Sequence, residues 1–209
     1  MEIKCFGKIE VEFENDDCKS YEKYKEILGF KTFCYIADYI SQKLNKEKIK
    51  YKYISNLIRY DKRIKYKLFR YFGTIEDCIK SILINKTKFC NGKLEKSNDL
   101  DFTTLVEINK IDGNCWTMGK ILGELKSLEL IQPEKCCQFK KIFELRNKVM
   151  HYNLIYVDFD WYKNKIIELG DALPDEYKKG YQDSINNAKK CFEDIKCLLM
   201  EDIKYEICD

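Results

Sequence analysis

The chain reads as an all-α helical bundle with a short β element at its N-terminus, and three observations predict that class. Only two prolines and nine glycines occur among 209 residues. A turn-rich β-sandwich needs more of both, whereas helices are broken by them. From Ile54 onward, Leu57, Ile58, Ile64, Leu68, Phe72, Ile75, Ile79 and Ile82 recur at spacings of three and four with a gap at Asp61, the stripe of one helix face. Near the start, Ile3, Cys5, Ile9, Val11 and Phe13 all fall on odd positions, the period of a strand.

Taken in order, residues 1–17 predict a short strand, a hairpin or an ordered arm, with Asp16, Asp17 and Ser20 as caps for the first helix. Helices are expected at 20–28 and 31–45, broken at Gly29. The stripe over 54–82 predicts one long helix, or two in tandem about Gly73. Asp61 and Glu76 lie on or near that stripe. They either pair with an internal Arg or Lys or sit at its edge in water. Residues 86–98, with Asn91, Gly92, Ser97 and Asn98, read as a polar loop. Further helices are expected at 100–111, 115–129 and 134–151, punctuated by Asp112-Gly113-Asn114 and by Pro133, which suits a helix start. Segments at 158–170 and about 175–205 complete the set. The division expected is an N-terminal extension at 1–30 and a helical domain at 31–209, whose core is about 98–209.

Charge is uneven. Residues 43–70 carry eleven basic side chains against Glu47 and Asp61 alone, whereas residues 191–209 carry six acids against two lysines. The basic stretch, with Arg59, Lys62 and Arg63 at its centre, is either a track for a polyanion, favoured by counterion release, or a solvated helix face. Eleven cysteines, odd in number, include no CxxC and an adjacent pair at Cys136-Cys137. That spacing reads as reduced, structural thiols of a cytoplasmic protein. With one histidine and no finger or ribbon spacing, neither a metal site nor a cofactor is expected. No secretory leader is evident at Met1, and no run reaches the roughly 18 apolar residues that cross a bilayer, so no membrane partner is expected.

The one histidine lies in Arg146-Asn147-Lys148-Val149-Met150-His151. On a wheel of about 100° per residue, Phe139, Ile142, Phe143, Val149 and Met150 fall within about 60° of Arg146. Arg146 is thus expected at the centre of the apolar stripe, with Asn147 and His151 on its flank, four residues apart. A guanidinium, an amide and an imidazole at one helix edge are the groups that hold a phosphodiester and move a proton at neutral pH. The plainer alternative is a histidine that only meets the last carbonyls of its helix.

Arg146-Asn147-(three residues)-His151, at the end of an amphipathic helix, resembles the R-x4–6-H motif of HEPN domains. Leu57-Ile58-Arg59-Tyr60-Asp61-Lys62-Arg63-Ile64, continuing to Ile75-Glu76-Asp77-Cys78-Ile79-Lys80, resembles the abortive-infection (AbiD/AbiF-like) branch of that family. The resemblance covers roughly residues 54–160. It implies a HEPN-like bundle acting as a metal-independent endoribonuclease, a toxin or abortive-infection effector of antiviral defence. It also implies a homodimer in which two motif helices face each other. His151 would move the proton, Arg146 would stabilise the transition state and Asn147 would orient the phosphate or the histidine. Single-stranded RNA would be cut to 2′,3′-cyclic phosphate ends, and DNA would survive. Met150 and Tyr152 stand where the family often has small or second histidine residues, so no second histidine serves as a separate acid. Lys148 and Tyr152 are expected to touch RNA by charge and stacking, or else to be solvated and packed. The alternatives are a non-catalytic RNA-binding protein and an antitoxin or nucleotidyltransferase partner. An RNA or protein antitoxin is the partner implied for a toxin.

Overall fold

The computed structural model describes residues 2–14, 16–91, 93–98, 117–151, 154 and 158–205. Among them helices predominate, with a small sheet at the N-terminus, as the composition and periodicities predict. The helix expected at 100–111 lies outside the described residues, as does Tyr152. The chain divides into two units, one formed by Met1–Lys67, Asn153–Lys163 and Asp183–Lys204, the other by Leu68–Tyr152, Asn164–Gln182 and Tyr205–Asp209.

The first unit begins with a hairpin. Strands β1 (Glu2–Phe6) and β2 (Ile9–Phe13) pair antiparallel about Gly7, whose φ of +67° favours glycine. Strand β3 (Lys48–Lys50) adds to β2 in parallel, Val11 opposite Ile49. The odd-numbered alternation holds for β2, where Ile9, Val11 and Phe13 are buried. It fails for β1, where Phe6 is buried and Ile3 and Cys5 are exposed. The two-residue turn is the reason. Partners here pair odd with even, as Phe6 does with Ile9 and Lys4 with Val11, and cross-strand partners share a face. Lys4 therefore lies on the core side, its Nζ 5.2 Å from the Phe13 ring and 5.0 Å from the Tyr21 ring.

Helices α1 (Asp17–Leu28) and α2 (Phe30–Leu44) flank Gly29, which has φ +76°, and α2 ends on Asn45 in the left-handed region. Phe6, Phe13, Tyr21, Phe33 and Tyr51 form one aromatic cluster, with Phe13 stacked on Tyr51 at 4.8 Å. The boundary expected at residue 30 therefore falls inside this unit. Residues 1–30 supply part of its core and are no appendage to it.

Helix α3 (Tyr51–Lys86) is a single helix that passes through Gly73 without a break. Residues 51–67 belong to the first unit and 68–86 to the second. Its buried stripe runs through the expected residues as far as Ile79, then takes Leu83 in place of Ile82. The polar loop expected next is instead a hairpin of β4 (Thr87–Cys90) and β5 (Lys93–Lys96), with Asn91 at φ +49°. Asn91-Gly92 between Phe89 and Leu94 is the strongest short-range hairpin signal there is, and it was legible.

Helices α4 (Met118–Ser127) and α5 (Pro133–Met150) pack on each other in the second unit. Thr117 caps α4 by accepting the Lys120 N–H, and Pro133 opens α5. Helices α6 (Phe159–Ala172) and α7 (Asp175–Asn186) come next. Tyr181 is fully buried and donates its hydroxyl to the Ile166 carbonyl at 2.6 Å. Gly170 is packed so closely under Tyr205 and Tyr181 that a methyl group would collide with both.

The helix expected through residue 205 stops at Asn186. Beyond it come 3-10 turns at Asn187–Lys189 and Glu193–Leu198. Tertiary partners outcompete helix here. Arg63 donates to the carbonyls of Ala188 and Lys190, and the Asn186 amide brackets Ile203, donating to its carbonyl and accepting from its N–H.

Candidate functional site

Helix α5 carries the hexapeptide, and its orientation sets the site. Cys136, Phe139, Ile142, Leu145 and Val149 are buried, at spacings of three, three, three and four. The buried face is therefore turned toward Leu145 relative to the wheel, which had centred it on Arg146. Arg146 instead sits at the border, its side chain 37% exposed, with Met150 exposed and Phe143 half-buried. Leu145, fully buried, wins the core position because removing its side chain from water stabilises the fold and burying a guanidinium does not.

The border position gives Arg146 two polar neighbours. Its Nε lies 3.4 Å from Oε1 of Glu76 on α3, and its Nη1 donates to Oδ1 of Asn147 at 3.4 Å. Glu76 does pair with an arginine, but at the partly exposed border of the core and not inside it, so the outcome lies between the two alternatives. Both residues belong to the second unit. Beside them opens a cavity of about 680 Å³, whose wall includes Glu76, Thr117, Lys140, Phe143, Arg146 and Asn147. The cavity joins two cations, an amide and two carboxylates, Glu76 and Glu144, so Lys140 and Arg146 can meet a phosphate there only beside opposing acids, with Glu76 fixing the arginine's orientation.

His151 stands at the end. It is the C-cap of α5, its N–H donates to the Asn147 carbonyl at 3.0 Å, and it is exposed. It is not among the residues that line the cavity. Five residues of helix separate it from Arg146 by about 140°. The structure thus brings Arg146, Asn147 and Glu76 together, and leaves His151 one turn beyond them. Lys148 is half-buried. Lys140 escaped the sequence reading, although it stands seven residues before Asn147, two helical turns along the same edge.

Five of the eleven basic residues of the stretch 43–70 have ion-pair or hydrogen-bond partners within the fold. Lys48 pairs with Glu12, Lys50 with Glu14, Lys52 with Asp194 and Lys65 with Asp61. The last pair is buried, at 2.5 Å, so the gap in the α3 stripe is an ion pair within the helix. Arg63 is held by two carbonyls and lies 4.6 Å from the Phe192 ring. Lys62 is exposed, with its Nζ 4.8 Å from the Tyr24 ring, and Arg59, also exposed, stands nearby on the same helix.

Among the described residues no three His, Cys, Asp or Glu side chains stand close enough to share a metal ion, and no helix is long and apolar enough to cross a membrane. The nine described cysteines are free thiols. No family model, curated protein or solved structure matches the chain.

Proposed function

We propose that this protein is a HEPN-type endoribonuclease that cuts single-stranded RNA without a metal ion, as a toxin or abortive-infection effector acting in the cytoplasm. The observation that carries the reading is Arg146 held at the lip of an open cavity by Glu76 and Asn147, on the helix that ends in the chain's one histidine. In the reaction, the 2′-oxygen attacks the adjacent phosphorus and the bond to the 5′-oxygen breaks. His151 handles the proton of the attacking hydroxyl or of the leaving oxygen. Arg146 stabilises the charge on the phosphorane and Asn147 orients the phosphate. His151 and Arg146 diverge on their helix, so one chain does not close both around a single phosphate. A homodimer with two motif helices face to face supplies the complementary pair, and an RNA or protein antitoxin restrains the toxin.

Purified protein in EDTA is expected to cut single-stranded RNA, leave 2′,3′-cyclic phosphate ends and spare DNA. His151→Ala is expected to lose all cutting while keeping its helical signal. A fully active His151→Ala protein ends the reading. A second reading has its own support, because His151 lies off the cavity and Arg146 already faces a carboxylate. In that reading the protein binds RNA, or a nucleotidyltransferase-like partner, without cutting. It predicts salt-sensitive RNA binding, or a stable heteromer, that survives His151→Ala.

A further inference from the structure

A second cavity, of about 390 Å³, lies wholly within the first unit. Lys43 at the end of α2, Lys163 near the start of α6, and Lys189 and Lys196 from the C-terminal turns converge on it, beside Tyr39 and Phe159. These lysines are scattered over 150 residues of sequence, so no local charge run accounts for the cluster.

Like charges gathered on one concavity repel and concentrate anions there. The acids nearby offset them only in part, although Glu201 itself lines the cavity. Glu201 pairs with Lys163 at 3.1 Å but is 85% exposed, a weak tie that a better anion displaces. Asp202 pairs with Lys189 at 2.5 Å, and that ammonium holds its carboxyl below the usual carboxylate range. Asp160 is exposed in the first turn of α6. The Lys43 ammonium stands 5.8 Å from the Tyr39 ring. Tyr39 and Phe159, with ring centroids 6.5 Å apart, form an aromatic wall. Cations beside an aromatic wall are what a phosphate joined to a planar base requires. The volume lies in the range of small-ligand sites.

We propose that this cavity binds a nucleotide, with its phosphate among Lys43, Lys163, Lys189 and Lys196 and its base against Tyr39 and Phe159. The chemistry is the same whether the nucleotide is free or is the 5′-phosphorylated end of an RNA. The site is separate from the α5 cavity and does not depend on the nuclease reading.

The test is calorimetric titration of the full chain at low salt with inorganic phosphate, AMP, and an RNA decamer bearing either a 5′-phosphate or a 5′-hydroxyl. AMP is expected to bind saturably and more tightly than inorganic phosphate. Lys43→Ala and Lys196→Ala break none of the ion pairs described above, and each is expected to weaken AMP about tenfold. Phe159→Leu keeps an apolar side chain and is expected to remove the preference of AMP over phosphate. Arg146→Ala is expected to change nothing here. Displacement of AMP by the 5′-phosphorylated decamer and not by its 5′-hydroxyl form identifies an RNA end, and displacement by neither identifies a free nucleotide. The proposal is overturned if AMP shows no binding, if it binds no tighter than phosphate, or if Lys43→Ala and Lys196→Ala leave its affinity unchanged.

Discussion

Helix α3 supplies the acid of two acid–base pairs that differ in kind. In the first unit, Asp61 and Lys65 lie four residues apart on one helix, and both are nearly sealed from solvent, with side chains 2% and 10% exposed. In the second unit, Glu76 reaches Arg146 on another helix, and those side chains are 25% and 37% exposed. A buried pair is held tightly because either charge alone would be stranded in a medium that solvates it poorly. A half-exposed pair is weakly held and screened, so its arginine can exchange the carboxylate for an incoming phosphate. The difference separates a pair that secures the fold from a pair that, under the proposed function, is placed to meet a ligand.

The largest effect is expected from breaking the buried pair. Asp61→Ala leaves Lys65 without its carboxylate and should cost about 3–5 kcal/mol. Urea unfolding measures it, and a loss below about 1 kcal/mol would show that water reaches Lys65 after all. Next comes Arg146→Ala. If the proposed reaction holds, RNA cleavage should fall about 10²–10³-fold, while unfolding by urea shifts by less than about 1 kcal/mol. Activity retained alongside a large stability loss would reverse the contrast between the pairs. Replacing both partners of the buried pair, as Asp61→Leu with Lys65→Met, should be neutral or should stabilise by about 1–4 kcal/mol, because no charge remains to be desolvated. Instability of that double variant, with the volume conserved, would mean the pair makes further bonds essential to the unit. The smallest effect belongs to Glu76→Gln, which should cost about 0–1 kcal/mol in stability. Whatever it costs should vanish at about 1 M salt, where screening acts over about 3 Å, whereas the Asp61→Ala loss should persist.

Much of the fold was legible, for reasons that particular residues make plain. The period of the α3 stripe located that helix to within a few residues, because thirty residues of consistent spacing leave no competing period. Gly29 and Pro133 marked helix ends through their backbone preferences alone. Asn91-Gly92 also marked a hairpin, and reading it only as polar hid β4 and β5. The parity of β1 was not legible before the hairpin turn was known, since turn length decides which residues oppose each other. The break after Asn186 was not legible either, because it depends on Arg63, more than a hundred residues away, taking the carbonyls a continuing helix would use.

The same division runs through the candidate site. The residue types of 146–151, their order and their helical spacing come from the sequence alone, because a helix assigns angles by counting. Sequence also marked Glu76 as an acid at the edge of an apolar stripe. Which way α5 turns was decided only by tertiary packing, since Leu145 and Arg146 compete for adjacent angles and the surrounding helices settle which is buried. That choice set Arg146 at a border instead of at the centre of the core, gave it Glu76 as a partner and left His151 at the exposed helix end. Tertiary structure alone also gathered Lys43, Lys163, Lys189 and Lys196 around one cavity, because convergence of distant residues has no signature along a chain.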